Sequence, residues 1–301
     1  MIVDTHIHLS LYKYNDEFPY WSMEDNKYLI KRGKREQLIE EFKSSGIGFC
    51  IDPAISIASN ENNLALATQY PGYIYASVGV HPKSTYSYVT IDEKGKREST
   101  KLHWKQRKLL EQYIKHESVV AIGETGLDYS LKRSEQHRFI QKIWFIWQLR
   151  LAKKNKLPII LHVRDSHDDA IRILRMFRNQ LHGGVCHCFC GDEKTAALYT
   201  DLGLKLGIGG ALLNGKGKNR ALEDAVRHTP LESILIETDG PYVKPDCEYL
   251  IKKKMRAARN TSLILPEIVK RIAELKDVSV QEVEQITTAN AEKLFNIKAN
   301  N

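Results

Sequence analysis

Long apolar runs are absent from this sequence of 301 residues, and cysteine is scarce. No segment approaches the ~20 consecutive apolar residues of a membrane-spanning helix, so we expect no association with a membrane. The five cysteines are an odd number and too few for a disulfide scaffold. The first residues lack the basic segment and apolar stretch of a signal peptide. We therefore expect a cytoplasmic protein with reduced thiols.

A glycine-rich phosphate loop is also missing, because no Gly-x-Gly-x-x-Gly follows the first predicted strand. Its absence disfavours an open, doubly wound dinucleotide-binding sheet. Acidic residues are not in excess, since 45 Lys and Arg outnumber 37 Asp and Glu for a net charge of +8. This modest basic balance favours phosphate-rich partners.

Short β-rich runs alternate with segments of helical spacing along the chain. The β-rich runs are 2–4, 48–51, 74–78, 119–122, 158–161, 185–188, 204–208 and 233–236. The helical segments are 35–44, 60–69, 105–115, 134–155, 167–181, 193–201, 219–228 and 261–275. This alternation predicts an α/β fold, a (β/α)8 TIM barrel in a single domain spanning 1–301. Segments 11–34 and 83–101 are inserts that follow predicted strands.

Ionisable side chains stand at the ends of most predicted strands, where a barrel has its active-site mouth. They are His6, His8, His81, Glu124, Asp128, His162, Arg164, His187, Glu237 and Asp239. An isolated buried histidine is usually a hydrogen-bonded core residue. Burial of many ionisable groups together costs several kcal/mol of folding free energy for each group unless their charges are compensated. A pair of cations would do so, and imidazole with carboxylate is typical of transition-metal sites.

A divalent-metal site at the carboxyl ends of the strands indicates metal-assisted hydrolysis by an activated water. Glu124 lies between the two groups of candidate ligands and is the natural bridge between two ions. Asp239, near the last strand, can bind one ion and accept the proton of the water. We therefore expect Glu124 and Asp239 to be the catalytic residues.

The same residues lie in an ordered set of motifs that resembles the TatD family of metal-dependent deoxyribonucleases. The motifs are DTHIH (4–8), GVHP (79–82), GETGLDY (123–129), LHVRD (161–165), HCFCG (187–191), ETDGPY (237–242) and TANAEKLF (288–295). A single His-x-His is a weak indication, whereas the ordered set covers nearly the whole chain. Cys190 and Gly240 depart from the residues usual in this family, and the two inserts are longer than typical.

The resemblance implies an amidohydrolase-like barrel that binds two divalent ions, Mg²⁺, Mn²⁺ or Zn²⁺, and cleaves phosphodiester bonds as a DNA exonuclease or endonuclease. Its implied metal ligands are His6, His8, Glu124, His162, His187 and Asp239. By position it places His81 and Arg164 at the substrate phosphate. Some relatives of the family are aminoacyl-tRNA deacylases, so ester hydrolysis is an alternative activity and tRNA an alternative partner.

Two basic segments follow the last predicted strands, beside the expected mouth. Lys216 and Lys218 lie in the first and are candidate phosphate contacts, and the second is 252–259. DNA or an oligonucleotide is therefore the expected substrate, and no obligate protein partner is indicated. A non-catalytic, metal-bearing barrel that only binds nucleic acid is the remaining alternative. The full ligand set disfavours it, because a binding surface needs no activated water.

Overall fold

Eight parallel strands form the centre of the computed structural model, which describes residues 1–24, 27–88, 104–130, 134–214, 219–245 and 258–298. These eight strands are β1 (Ile2–Asp4), β4 (Ile47–Pro53), β5 (Ile74–Val78), β6 (Val119–Asp128), β7 (Ile159–Arg164), β8 (Gly184–Cys186), β9 (Lys205–Ile208) and β10 (Ile234–Ile236). Strands β2 (Phe18–Glu24) and β3 (Lys27–Gly33) form a separate two-stranded sheet. The sheet order is β1-β4-β5-β6-β7-β8-β9-β10, with parallel neighbours throughout. The predicted (β/α)8 barrel is confirmed.

Backbone hydrogen bonds join the two ends of this sheet. The Thr5 amide donates to the Ile236 carbonyl at 3.1 Å, and the Asp239 amide donates to the His6 carbonyl at 2.8 Å. Both bonds lie just beyond the ends of β1 and β10, so the barrel closes at its carboxyl end. Closure therefore brings the first and last candidate ligands together.

The buried Asp4 carboxylate strengthens this seam. Its Oδ2 accepts hydrogen bonds from the hydroxyls of Thr238 and Ser262, both at 2.7 Å. Its Oδ1 accepts from the backbone amides of His6 and Thr238, both at 3.1 Å. A buried carboxylate needs such donors, and here they hold the chain on either side of the metal-ligand motifs.

The helices cover the outside of the barrel. They are α1 (Arg35–Ser44), α2 (Ile57–Gln69), α3 (Trp104–Tyr113), α4 (Glu135–Asn155), α5 (His167–Arg175), α6 (Glu193–Asp201), α7 (Arg220–His228), α8 (Leu265–Lys276) and α9 (Val280–Phe295). Apolar residues at helical spacing and N-cap hydrogen bonds account for these helices. In α6, for example, the Asp192 carboxylate accepts a hydrogen bond from the Thr195 amide at 2.8 Å. Among the helices of the described segments, none is long and apolar enough to cross a membrane.

Helix α9 was not predicted as a separate element, yet it closes the amino end of the barrel. Its Ala291 and Phe295 pack with inward-facing strand residues such as Val3 and Phe49. The Ser279 hydroxyl caps its first turn by accepting from the Glu282 amide at 3.1 Å. Within the described residues, α9 therefore covers the end of the barrel interior opposite the strand-end side chains.

Strand β6 is longer than predicted, ten residues rather than four, because it continues through Gly123 and Gly126 to Asp128. Gly126 has φ +136°, and a Cβ there would lie 2.1 Å from the His162 carbonyl oxygen. Glycine thus allows β6 and β7 to approach closely. The expectation that Glu124 and Asp128 follow the strand is wrong, since both lie within it.

Strand β8 is shorter than predicted and ends at Cys186. Cys188 has φ +47°, a left-handed conformation that interrupts the extended chain. His187 therefore lies just after the strand, with its amide donating to the Leu161 carbonyl at 3.0 Å.

The first insert contains an antiparallel hairpin of β2 and β3, which the sequence analysis did not predict. Glu41 of α1 binds this hairpin, because its carboxylate accepts hydrogen bonds from Tyr20 Oη at 2.8 Å and Lys31 Nζ at 3.2 Å. The Arg259 guanidinium lies 4.4 Å from the Phe18 ring centroid. The second insert begins with a 3-10 helix, Pro82–Tyr88, and its part from 89 to 101 lies outside the described residues.

Candidate metal centre

All six predicted ligands meet at the carboxyl end of the barrel. Three groups of donor atoms each lie within 4.8 Å: His6, His8 and Glu124; His81, Glu124 and His162; and His6, His187 and Glu237. Asp239 joins the first group, with Oδ1 3.3 Å from His8 Nε2 and 3.7 Å from His6 Nε2. Parallel strands explain the convergence, since all of their carboxyl ends reach one mouth.

The Glu124 carboxylate lies at the middle of this cluster. Its Oε2 is 3.7 Å from Nε2 of both His6 and His8. Its Oε1 is 2.8 Å from His187 Nε2, 2.9 Å from His162 Nδ1 and 3.4 Å from His81 Nε2. The two oxygens thus face different sets of imidazoles, which is the arrangement that a bridging carboxylate requires.

Second partners orient two of the imidazoles, those of His8 and His162, by setting which ring nitrogen carries the proton. His8 Nδ1 lies 3.1 Å from the Pro53 carbonyl and therefore donates to it, leaving Nε2 free for a cation. His162 Nε2 lies 3.0 Å from Asp128 Oδ2, so Nδ1 faces Glu124. His187 Nδ1 lies 3.7 Å from Glu237 Oε1.

Asp128 and Glu237 were recognised in the sequence as ionisable strand-end residues, but they were not predicted as site residues. Asp128 also accepts from Lys83 Nζ at 3.1 Å and from the Ser130 amide at 2.9 Å. The alternation of side chains along a strand could have identified Asp128 as a site residue, because residues 124, 126 and 128 share one face of an extended strand. Glu237 lies just beyond the end of β10, next to His187, and Asp239 has φ +55°, so alternation does not relate these two residues.

His81 is bound differently from the other histidines of the cluster. Its Nδ1 accepts a hydrogen bond from the Lys83 amide at 3.0 Å, so the proton of the neutral ring is on Nε2, facing Glu124. Burial is the main cause that lowers the pKa of His81, to about 3. With one lone pair used and the other nitrogen protonated, this ring is a donor for an oxygen, as expected of a phosphate contact.

The electrostatics of the cluster favour a bound cation. Pairs of ring nitrogens lie close together, His6 and His8 at 3.4 Å and His162 and His187 at 3.1 Å. Burial opposes charge on His187, but Glu124 outweighs burial and raises the pKa of His187 well above its usual range. Burial would raise the pKa of Glu124, but the imidazoles of His187 and His81 hold it well below its usual range.

Unsatisfied buried atoms lie on the third donor group, His6, His187 and Glu237, and its two ring nitrogens are those that do not face Glu124. Within the described part of the chain, His6 Nδ1, His187 Nδ1 and Glu237 Oε2 are buried without a hydrogen-bond partner. Imidazole nitrogens and carboxylate oxygens in such a set suit divalent transition metals. The residues therefore fit the divalent ions expected from the sequence.

Arg164, another predicted site residue, is not part of this cluster. Arg164 ends β7, two residues beyond His162, and its side chain is exposed. Its proposed contact with substrate phosphate stays a prediction. Lys216 and Lys218 lie outside the described residues.

Comparisons with known proteins agree with the fold and the cluster. The sequence profile of the family described as TatD related DNase matches residues 3–296. A Bacillus subtilis (strain 168) protein named uncharacterized metal-dependent hydrolase YabD is 32% identical over 297 residues, covering 99% of this chain and 100% of that protein. A Rahnella sp. (strain Y9602) protein named 3'-5' ssDNA/RNA exonuclease TatD is 32% identical over 266 residues, 88% of this chain and 93% of that protein.

A solved structure gives the same result at the level of the fold. The crystal structure of YJJV, a TatD homolog from Escherichia coli K12, matches with a TM-score of 0.77 at 26% identity, covering 99% of this chain and 98% of that chain. The resemblance carried by the motifs is thus confirmed. The chain belongs to the TatD family of metal-dependent hydrolases.

Proposed function

We propose that this protein is a nuclease that hydrolyses phosphodiester bonds of single-stranded nucleic acid with two divalent ions. The observation that carries the proposal is the placement of Glu124, whose two oxygens face separate imidazole sets. The name of the Rahnella relative, an exonuclease for single-stranded DNA and RNA, supports the substrate class.

The side chains divide into two holding sets. His6, His8, Asp239 and Oε2 of Glu124 would hold one ion, and His162, His187 and Oε1 of Glu124 would hold the other. When bound, such ions lower the pKa of a water and offset the charge of a phosphate.

Two residues, Asp239 and His81, have roles beyond holding the ions. Asp239 is more accessible than Glu124, with side-chain exposures of 15% and 3%. Asp239 is therefore the carboxylate that can take the proton of the attacking water. The Nε2–H of His81 donates to a phosphate oxygen and orients it.

The test is cleavage of a 5'-labelled single-stranded oligonucleotide by metal-stripped protein resupplied with Mg²⁺, Mn²⁺ or Zn²⁺. We expect progressive shortening that a chelator stops, and a 3'-blocked substrate separates exonuclease from endonuclease cleavage. Asp239→Asn should lose the activity, while Asp169→Asn, a change in α5 outside the cluster, should keep it.

Two outcomes would contradict the proposal. Release of the amino acid from a mischarged tRNA, with no oligonucleotide cleavage, would assign the site to ester hydrolysis. Binding of the oligonucleotide by fully metal-loaded protein without cleavage would indicate a non-catalytic barrel.

A further inference from the structure

An exposed aromatic ring lies directly beside the metal centre. Tyr242 is 39% exposed, and its ring centroid is 5.8 Å from that of His8, edge to face at 75°. The Tyr242 amide donates to the Asp239 carbonyl at 2.8 Å. The Tyr242 carbonyl accepts from Asn260 Nδ2 at 2.9 Å. The backbone is thus held on both sides, and the ring is presented to solvent at the mouth of the barrel.

Positive charge gathers around this ring. The Lys13 ammonium lies 4.2 Å from the Tyr242 ring centroid, a cation–π contact. Lys244, two residues further on, is exposed. Arg259 is the third cation near this ring, since the Arg259 amide donates to the Pro19 carbonyl at 2.8 Å and Asn260, the next residue, binds the Tyr242 carbonyl.

The third of these cations, Arg259, contacts two other aromatic rings. The Arg259 guanidinium lies over the rings of Phe18 and Tyr14, at 4.4 Å and 5.3 Å, and so holds the hairpin of β2 and β3 against the barrel. Lys13, over the ring, and Lys244, exposed two residues further along the chain, are the cations placed nearest to a ligand above Tyr242.

We propose that Tyr242, Lys13 and Lys244 form a nucleotide subsite beside the metal centre, in which a base stacks on the Tyr242 ring and the two lysines contact the adjoining phosphates. This inference rests on the proposed function. Stacking on an aromatic side chain accepts any base and is the usual device of proteins that bind single strands without sequence preference. Duplex bases, already stacked on each other, do not offer a free face, so the subsite selects single strands.

The Lys13 contact has a consequence for the order of events. Its ammonium lies over the ring face that a base would occupy. A base entering the subsite therefore displaces the ammonium, and the displaced charge is then beside the phosphate of the same nucleotide. The exchange replaces one contact by two, stacking and an ion pair.

The alternative explanation is that Tyr242 only shields His8 from water. The two explanations differ in what a missing base does. If the ring binds a base, removal of the ring weakens the binding of an ordinary oligonucleotide but not the binding of one whose 3'-terminal residues are abasic. If the ring only shields His8, its removal affects both ligands equally.

The experiment measures binding of these two oligo(dT) ligands to metal-free protein by fluorescence anisotropy, and KM and kcat with metal. We expect the unmodified protein to prefer the base-containing strand by about 5- to 150-fold. Tyr242→Leu should abolish that preference and raise KM more than it lowers kcat, whereas Tyr242→Phe should keep it. Phe139→Leu, which removes an exposed aromatic of α4, is the matched control and should leave the preference unchanged.

The lysines are tested by salt titration. Lys13→Gln and Lys244→Gln should each make the dependence of log K on log[salt] shallower by about 0.7 and leave the metal content unchanged. An unaltered slope, or equal weakening of both ligands by Tyr242→Leu, overturns the subsite. A protein that neither binds nor cleaves either strand refutes the proposed function itself, so the two failures are distinguishable.

Discussion

Glu124→Gln should deprive the protein of one metal ion and keep the other. The amide that replaces the carboxylate has one oxygen, which can bind a cation, and one nitrogen, which cannot. At the Oε1 position it meets His162 Nδ1 and His187 Nε2 at 2.9 Å and 2.8 Å, and these nitrogens lose the carboxylate charge that favours their protonation. The amide nitrogen should turn toward them as a donor. The oxygen then faces His6 and His8, so the ion held by His162 and His187 is the one that is lost.

The size of the effect follows from what each ion contributes. A bound ion stabilises the charge of the transition state by several kcal/mol. Because each ~1.4 kcal/mol of activation free energy changes the rate tenfold, loss of one ion should lower kcat about a thousandfold or more. Asp128→Asn is the matched comparison, because Asp128 contacts the ligand set through His162 Nε2, at 3.0 Å, and orients that ring. Loss of such an orienting partner weakens metal affinity about 10- to 100-fold and keeps the stoichiometry.

Isothermal titration of metal-stripped protein with Mn²⁺, together with metal content after gel filtration, gives stoichiometry and affinity for both variants. We expect two ions for the unmodified protein, one for Glu124→Gln and two weaker ones for Asp128→Asn. If Glu124→Gln binds two ions with unchanged affinity, Glu124 is not the bridge.

Three other predictions follow from single contacts. His81→Gln should raise KM or lower kcat without removing metal; loss of an ion on analysis of metal content would make His81 a ligand instead. Burial lowers the pKa of His167, so the folded state resists protonation and the free energy of unfolding falls as pH decreases below about 6.5. His167→Gln should therefore flatten the dependence of Tm on pH between pH 7.5 and 5, and an unchanged slope would contradict this. Glu41→Gln weakens the hydrogen bonds to Tyr20 and Lys31 and should lower the free energy of unfolding by about 1–2 kcal/mol. Proteolysis at the hairpin should also be faster, and an equal Tm with equal proteolysis would contradict a stabilising role of Glu41.

Local periodicity was enough to predict the barrel and most of its helices. Apolar runs of strand length and helical spacing depend on neighbours along the chain, so α1 and α6 have the predicted bounds, Arg35–Ser44 and Glu193–Asp201. The hairpin of β2 and β3 and helix α9 were missed. Both depend on distant partners, since Arg259 and Glu41 hold the hairpin and inward-facing residues of the barrel receive α9.

The residues of the candidate site were predictable from the sequence, because strand ends and motif order state which side chains reach the mouth. His6 and His8, two residues apart, had to share a face, and their convergence with Glu124, His187 and Asp239 followed from a parallel barrel. These statements concern direction along a strand, which the chain encodes locally.

Only the tertiary structure decided how these side chains meet. The sequence alone determined neither that Glu124 presents one oxygen to each imidazole set, nor that Asp128 orients His162, nor that the Lys83 amide makes His81 a donor. Each of these contacts joins different strands or loops across a distance of a few ångströms. Such distances depend on the close approach of β6 to β7 at Gly126 and on the closure of β1 against β10, which packing of the whole barrel sets and no single segment encodes.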